Sequence, residues 1–292
     1  MNEISSSAAP RFRLHVRIHH VMLVIAAIYL FLPIAATVLY SFATTWNTTV
    51  LPEGLTLNWY AQLFQDMRFI ESFSRSLLLS GGATLLALLV TVPAIFTIMV
   101  YAPRLERAIQ SLVMASYALP GVIMAVGLIR AYAGKGISML LIIIGAYVVA
   151  MLPFIYQAVS NSLRTINAAV LMEAAQLLGA SRLRAFVRII VPNIMPGILV
   201  AGLLSFSMLF GEFVLINMLV GGKFETLQIY LYGVISKSGH MSSAIVVTYF
   251  VCMAIISTLL LKLGTTGSTA AIGSVRSTRS AKSTESKRRA LR

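Results

Sequence analysis

Six stretches of the chain, roughly 21–42, 77–101, 108–132, 138–160, 194–219 and 241–263, are each long and apolar enough to cross a bilayer. A span needs about 20 apolar residues at about 1.5 Å of helical rise each. In hydrocarbon every backbone N–H and C=O has to be paired within the protein, which leaves only helices and closed barrels. Continuous apolar runs, in place of alternating ten-residue segments, select helices. A composition of 58% hydrophobic and 11% charged residues, with mean hydropathy +0.87, agrees with an all-α integral membrane protein of six transmembrane helices. The third run carries Pro120-Gly121 and Arg130 and is expected to be a kinked span.

Loop charge orients such a chain, because short loops rich in Lys and Arg stay in the cytoplasm. With both termini inside, the inner segments hold Arg11, Arg13 and Arg17; Arg104 and Arg107; Arg164, Arg182, Arg184 and Arg188; Lys262 and the basic residues of the tail, 17 in all. The outer segments hold 6: Arg68, Arg75, Arg130, Lys135, Lys223 and Lys237. The net charge of +14 therefore needs no nucleic-acid partner; anionic lipid headgroups account for it. Residues 1–20 form a basic cytoplasmic segment, 21–263 the six-span domain, and 264–292, with almost nothing apolar to bury, a disordered basic tail. The first run follows basic residues, reaches spanning length and has no A-x-A-like site after it, so it is expected to be a retained helix and not a cleaved signal.

Enzyme chemistry finds little support. Lys135 and Lys223 each follow a glycine but precede Gly136 and Phe224, so neither belongs to a phosphate-binding loop, and the chain is not expected to hydrolyse ATP. The histidines are His15, His19, His20 and His240, with no H-E-x-x-H pair, and Cys252 is the single cysteine. No metal site or resident cofactor is expected.

The polar stretch between the fourth and fifth runs, 164–193, differs from the other loops. Val170, Leu171, Ala174, Ala175 and Leu178 fall on one face of a helix that Asn167 is expected to cap and Gly179 to end. Ser181 is placed to cap a second short helix with Leu183, Phe186, Val187, Ile190 and Val191 apolar and Arg182, Arg184 and Arg188 polar; Pro192 and Pro196 then mark the return to the membrane. Two such helices either lie on the lipid surface or form a knob that enters a groove on a partner.

Glu173-Ala174-Ala175, Gly179, Ile189 and Pro192 stand at the spacing of the cytoplasmic loop signature of permease subunits in binding-protein-dependent ATP-binding cassette importers, with Val191 where Leu is usual. The chain resembles that family over about 10–265. The resemblance implies that 167–182 is a coupling helix, with Glu173, Ala174, Ala175, Leu178, Gly179, Ile189 and Pro192 forming the coupling site. It also implies as partners a second permease subunit, two ATP-binding subunits that hold ATP and Mg, and an extracytoplasmic substrate-binding protein, at the bacterial cytoplasmic membrane. Leu204–Phe213 and Phe224–Tyr230 look like the same region of spermidine/putrescine-type permeases, where an acid is common at the place of Glu212; Gly211 departs from that pattern. A polyamine-like solute, or a phosphonate, opine or iron, is the substrate class implied.

Glu212 is the carboxylate placed inside a span, where a charge costs about 2.5–3.5 kcal/mol on insertion scales. It contacts a cationic substrate in the path, bonds to the partner permease, or snorkels. A different class of protein, an ion-coupled secondary transporter, would titrate it instead. Gly121/Ala125, Gly127/Ala131 and Gly197/Ala201 place small residues four apart, which suits close helix approach. The outer loop 43–75, with Trp46, Pro52, Trp59 and Tyr60, is expected to hold a short helix near 57–71 and interfacial aromatic anchors.

Overall fold

The computed structural model describes residues 8–46, 49, 51–260 and 262; the tail 264–292 lies outside them. The described residues are helical and irregular, with one isolated antiparallel bridge, Ala43 to Leu55. The helices are α1 (Ala8–Phe42), α2 (Asn58–Gln65), α3 (Met67–Tyr101), α4 (Glu106–Tyr117), α5 (Gly121–Tyr132) and α6 (Met139–Thr165). There follow α7 (Ala168–Leu177), α8 (Arg182–Phe210), α9 (Val214–Leu219), α10 (Leu227–Ile235) and α11 (Gly239–Leu260).

Helices α1, α3, α6, α8 and α11 contain apolar segments of spanning length, and the expected third span is a bent pair. Its two parts, Pro103–Tyr117 and Gly121–Tyr132, meet at 94°. Pro120 explains the break. Its ring disfavours helical backbone at Leu119 and it brings no N–H, so α4 ends at Tyr117 and Pro120 becomes the cap of α5.

The fifth span, expected at 194–219, also differs. Helix α8 starts earlier, at Arg182, and passes through both prolines without a break. Pro192 has no N–H to give to the carbonyl four residues back, and the segment before it, Phe186–Ile190, widens into a π turn in which Val191 N–H reaches Phe186 O. The helix therefore changes register in place of ending. It stops instead at Phe210, and α9 is a separate short helix. The outer helix expected near 57–71 is likewise divided, α2 ending at Gln65 and α3 opening at Met67.

The described residues form two compact units, those within 1–67 with 231–251 and those within 68–230 with 252–262. In the first, residues 20–36 of α1 are exposed throughout, which suits an apolar helix solvated by hydrocarbon. At its far end His240 stacks on Tyr40, ring centroids 4.1 Å apart, and on Trp59 at 5.4 Å, while Trp59 Nε1 donates to Ala43 O at 2.9 Å. The aromatics of the 43–75 loop thus order their own turn.

The second unit has a core running through Ala83, Ala87, Ile143, Tyr147, Ile155, Val159, Ile190, Ile194 and Ala201. Two buried hydroxyls on α3 bond back to their own helix, Ser80 to Ser76 O at 2.6 Å and Thr91 to Ala87 O at 2.6 Å, and so enter the apolar interior paired, whereas Ser72 Oγ and Thr84 Oγ1 are buried without a partner. Helices α6 and α8 come close at Gly197. A Cβ there would lie 1.9 Å from Ser162 Oγ, 2.8 Å from Ser162 Cβ and 3.1 Å from Ala158 O, and rotating the hydroxyl relieves only the first of these. Gly197→Ala is expected to cost about 1–3 kcal/mol by overpacking, read as a lower melting temperature of the protein in detergent. An unchanged melting temperature would show that the helices do not meet there.

Candidate docking surface and intramembrane carboxylate

Helix α7 follows α6 through a tight corner. Asn167 adopts the left-handed region, φ 52°, and its side chain makes no capping hydrogen bond, so the expected cap is replaced by a backbone turn. Asparagine is among the few residues with a side chain that enter this region readily. At the other end Gly179 takes φ 86°. Gly179 N–H donates to Gln176 O at 2.9 Å and Ala180 N–H to Ala175 O at 3.0 Å, the paired bonds of a Schellman C-cap. Ser181 then caps α8 as expected, its Oγ accepting from Arg184 N–H at 3.4 Å.

The buried face of α7 is Ala168, Met172 and Ala175, spaced i, i+4, i+7 and packed with Leu163, Ala185 and Ile190. The expected apolar stripe is therefore split. Ala175 faces in, whereas Val170, Glu173, Ala174, Leu177 and Leu178 face out. Leu177 and Leu178 are each 89% exposed, the most exposed large apolar side chains among the described residues. On the next turn Leu183 and Val187 are exposed beside Arg182, Arg184 and Arg188, Ile189 is half-buried, and Pro192 is exposed.

This corner is braced from beneath by the end of α3. Arg182 sets its guanidinium 5.2 Å over the ring of Tyr101, and Gln176 Nε2 lies 3.5 Å from the Tyr101 hydroxyl. Phe186 packs on Phe96, ring centroids 4.6 Å apart. An apolar projection carrying one carboxylate and flanked by arginines is thus held rigidly and left uncovered.

Glu212 sits in the break between α8 and α9, half-buried, and not within a continuous helix. Tyr147 of α6 donates its hydroxyl to Oε2 at 2.8 Å; Leu215 N–H donates to Oε1 at 2.7 Å and Ile216 N–H to Oε2 at 3.2 Å. The carboxylate satisfies the first free N–H groups of α9 and ties that helix to α6. Of the three expected readings, none anticipated an acceptor filled from within the chain. Hydrogen bonds to a charged acceptor contribute about 1.5–3 kcal/mol. Glu212→Leu should therefore lower the melting temperature in detergent clearly more than Tyr147→Phe, which removes one donor of the three; equal or negligible shifts would contradict the capping geometry.

Sequence reasoning also passed over a cavity of about 430 Å³ lined by Met114 and Tyr117 of α4, Pro153, Phe154, Gln157 and Ala158 of α6, and Leu204 of α8. Gln157 is an exposed amide of α6, one turn before the polar run Ser160-Asn161-Ser162. The first amide after a long apolar run was the available signal. Among the described residues no group of three or more His, Cys, Asp and Glu is placed to hold a metal ion.

Residues 90–267 match the family model described as binding-protein-dependent transport system inner membrane component. The chain is 25% identical over 245 residues to the spermidine/putrescine transport system permease protein PotC of Haemophilus influenzae, covering 80% of this chain and 92% of that protein. It is 27% identical over 243 residues to the putative 2-aminoethylphosphonate transport system permease protein PhnV of Salmonella typhimurium, covering 82% and 90%. In fold it is similar to a chain of a bacterial ABC transporter involved in import of the acidic polysaccharide alginate, with TM-score 0.69, 20% identity and coverage of 87% and 96%. It is also similar to a chain of the inward-facing MetNI methionine ABC transporter, with TM-score 0.51, 20% identity and coverage of 72% and 96%.

Proposed function

The chain belongs to the binding-protein-dependent transport system inner membrane components, and we propose that with a second permease subunit it forms the path of an ATP-driven solute importer. In this reading both termini and the α7 corner face the cytoplasm, as the basic loops favour. Two ATP-binding subunits, which hold the ATP and magnesium, receive the projection of Glu173, Ala174, Leu177 and Leu178. An extracytoplasmic binding protein delivers the solute. The observation that carries the proposal is the exposed apolar face of α7, fixed between the Asn167 corner and the Gly179 cap.

The path of this subunit runs past the cavity at Tyr117, Phe154 and Gln157, where an amide in a span has a role that hydrocarbon would not reward. A polyamine or an aminophosphonate is the class of cargo that the relatives suggest, with opines and iron chelates next to be tried. Glu212 is not assigned to charge recognition, because its oxygens already accept three hydrogen bonds.

Membrane vesicles holding the assembled complex provide the test. Uptake of a ligand of the extracytoplasmic subunit should require ATP and that subunit together. Uptake driven by a proton gradient without ATP would overturn the assignment.

A further inference from the structure

Glu106 and Arg164 form an ion pair that joins the start of α4 to the end of α6. Each charge stands at the helix end that favours it, the carboxylate in the first turn of α4 and the guanidinium in the last turn of α6. Arg164 lies three residues before Asn167, at the corner from which α7 departs. Glu106 opens the helix that ends at the 94° break and brings Met114 and Tyr117 to the cavity wall. There Tyr117 meets Phe154 of α6 edge to face, ring centroids 5.6 Å apart.

Of the side-chain ties beneath the α7 corner, those through Tyr101 and Phe96 lead to α3, which contributes no residue to that cavity, while the apolar packing of α7 leads to α6 and α8. The Glu106–Arg164 pair leads to α4, which does contribute. Its side chains are 22% and 55% exposed, and an ion pair that exposed adds little to stability. Long side chains held together at the corner of a docking helix have their consequence in position.

Building on the importer reading, we propose that the Glu106–Arg164 pair is the transmission contact that carries displacement of α7 into α4 and so to the cavity wall. Both are positioning residues. When the ATP-binding subunits shift α7, the pair obliges the first turn of α4 to follow, and the bent segment moves against α6 where Tyr117 and Phe154 touch. Without the pair, α7 moves and α4 lags, so ATP is spent without solute crossing.

The test is a double-mutant cycle on the full complex in vesicles, measuring uptake and ATP hydrolysis in the same preparation. Glu106→Gln and Arg164→Gln are each expected to lower solute transported per ATP by about 10-fold, within the usual range of coupling between sites, with hydrolysis kept. The double glutamine variant should be no worse than either single one, since both remove the same contact. Exchanging the charges, Glu106→Arg with Arg164→Glu, should recover at least part of the loss, and it decides the matter if a single variant fails to assemble. Unchanged transport per ATP in the single variants, multiplied losses in the double, or no recovery in the exchange would each overturn the proposal. A wild-type complex whose hydrolysis ignores the binding protein would instead overturn the importer reading.

Discussion

Gly179→Pro is expected to reduce uptake by about 100-fold while the protein still reaches the membrane. Proline holds φ near −65°, whereas Gly179 stands at φ 86°, and proline removes the N–H that donates to Gln176 O. Backbone strain of about 1–3 kcal/mol and a lost hydrogen bond of about 0.5–1.5 kcal/mol act together. Their sum, near 3 kcal/mol, is about two powers of ten in the population of the docking geometry. The C-cap opens and Leu178 no longer points where α7 and α8 together place it. Gly179→Asn, which tolerates the left-handed region, should retain most uptake. Membrane-fraction blots with uptake in the same cells measure both; normal uptake by the proline variant would remove the α7 corner from the mechanism.

Leu178→Asp is expected to separate assembly from folding. At 89% exposure the side chain gives the isolated subunit almost nothing to lose, so its melting temperature should stay within the range of a neutral surface change, about 0.5 kcal/mol either way. If α7 docks as proposed, the same position meets a partner surface in the complex, and an unpaired carboxylate there costs about 2 kcal/mol or more, about 30-fold in affinity. Co-purification with the ATP-binding subunit should fall accordingly, and Leu177→Asp should behave alike. Full retention of that subunit by both variants would mean that the exposed leucines face lipid or solvent and not a partner.

How far this was legible in the residues differs from place to place. The spans were legible because hydropathy over about 20 residues integrates a large signal, and the α7 corner because Gly179 and Ser181 carry conformational chemistry of their own. The exposed face of α7 was not. Between Val170 and Leu178 only Glu173 and Gln176 are polar, so apolar residues lie on every side of α7 and periodicity cannot say which side is buried. Packing against Leu163, Ala185 and Ile190 decides it, and sends Leu177 outward.

The end of α8 was hidden for a related reason. Hydropathy runs on through Gly211–Phe213, and glutamate is not among the residues that ordinarily announce a helix start. One of the three donors to Glu212, Tyr147, lies 65 residues earlier in the chain, out of reach of any local pattern. Pro192 was expected only to mark the return to the membrane; the chain absorbs its missing donor by lengthening one turn, which no residue pattern announced.

That lengthened turn, Phe186–Ile190, sets an angular phase. Each residue of an α-helix advances the chain by about 100° around its axis, so a turn that takes in one residue more rotates everything before it relative to everything after. The membrane-embedded part of α8 is locked by Ile194, Gly197 and Ala201 against its neighbours. The direction in which Leu183 and the arginines look out is therefore a matter of counting, and a single residue gained or lost between the cap and the proline would aim the same surface at a different partner.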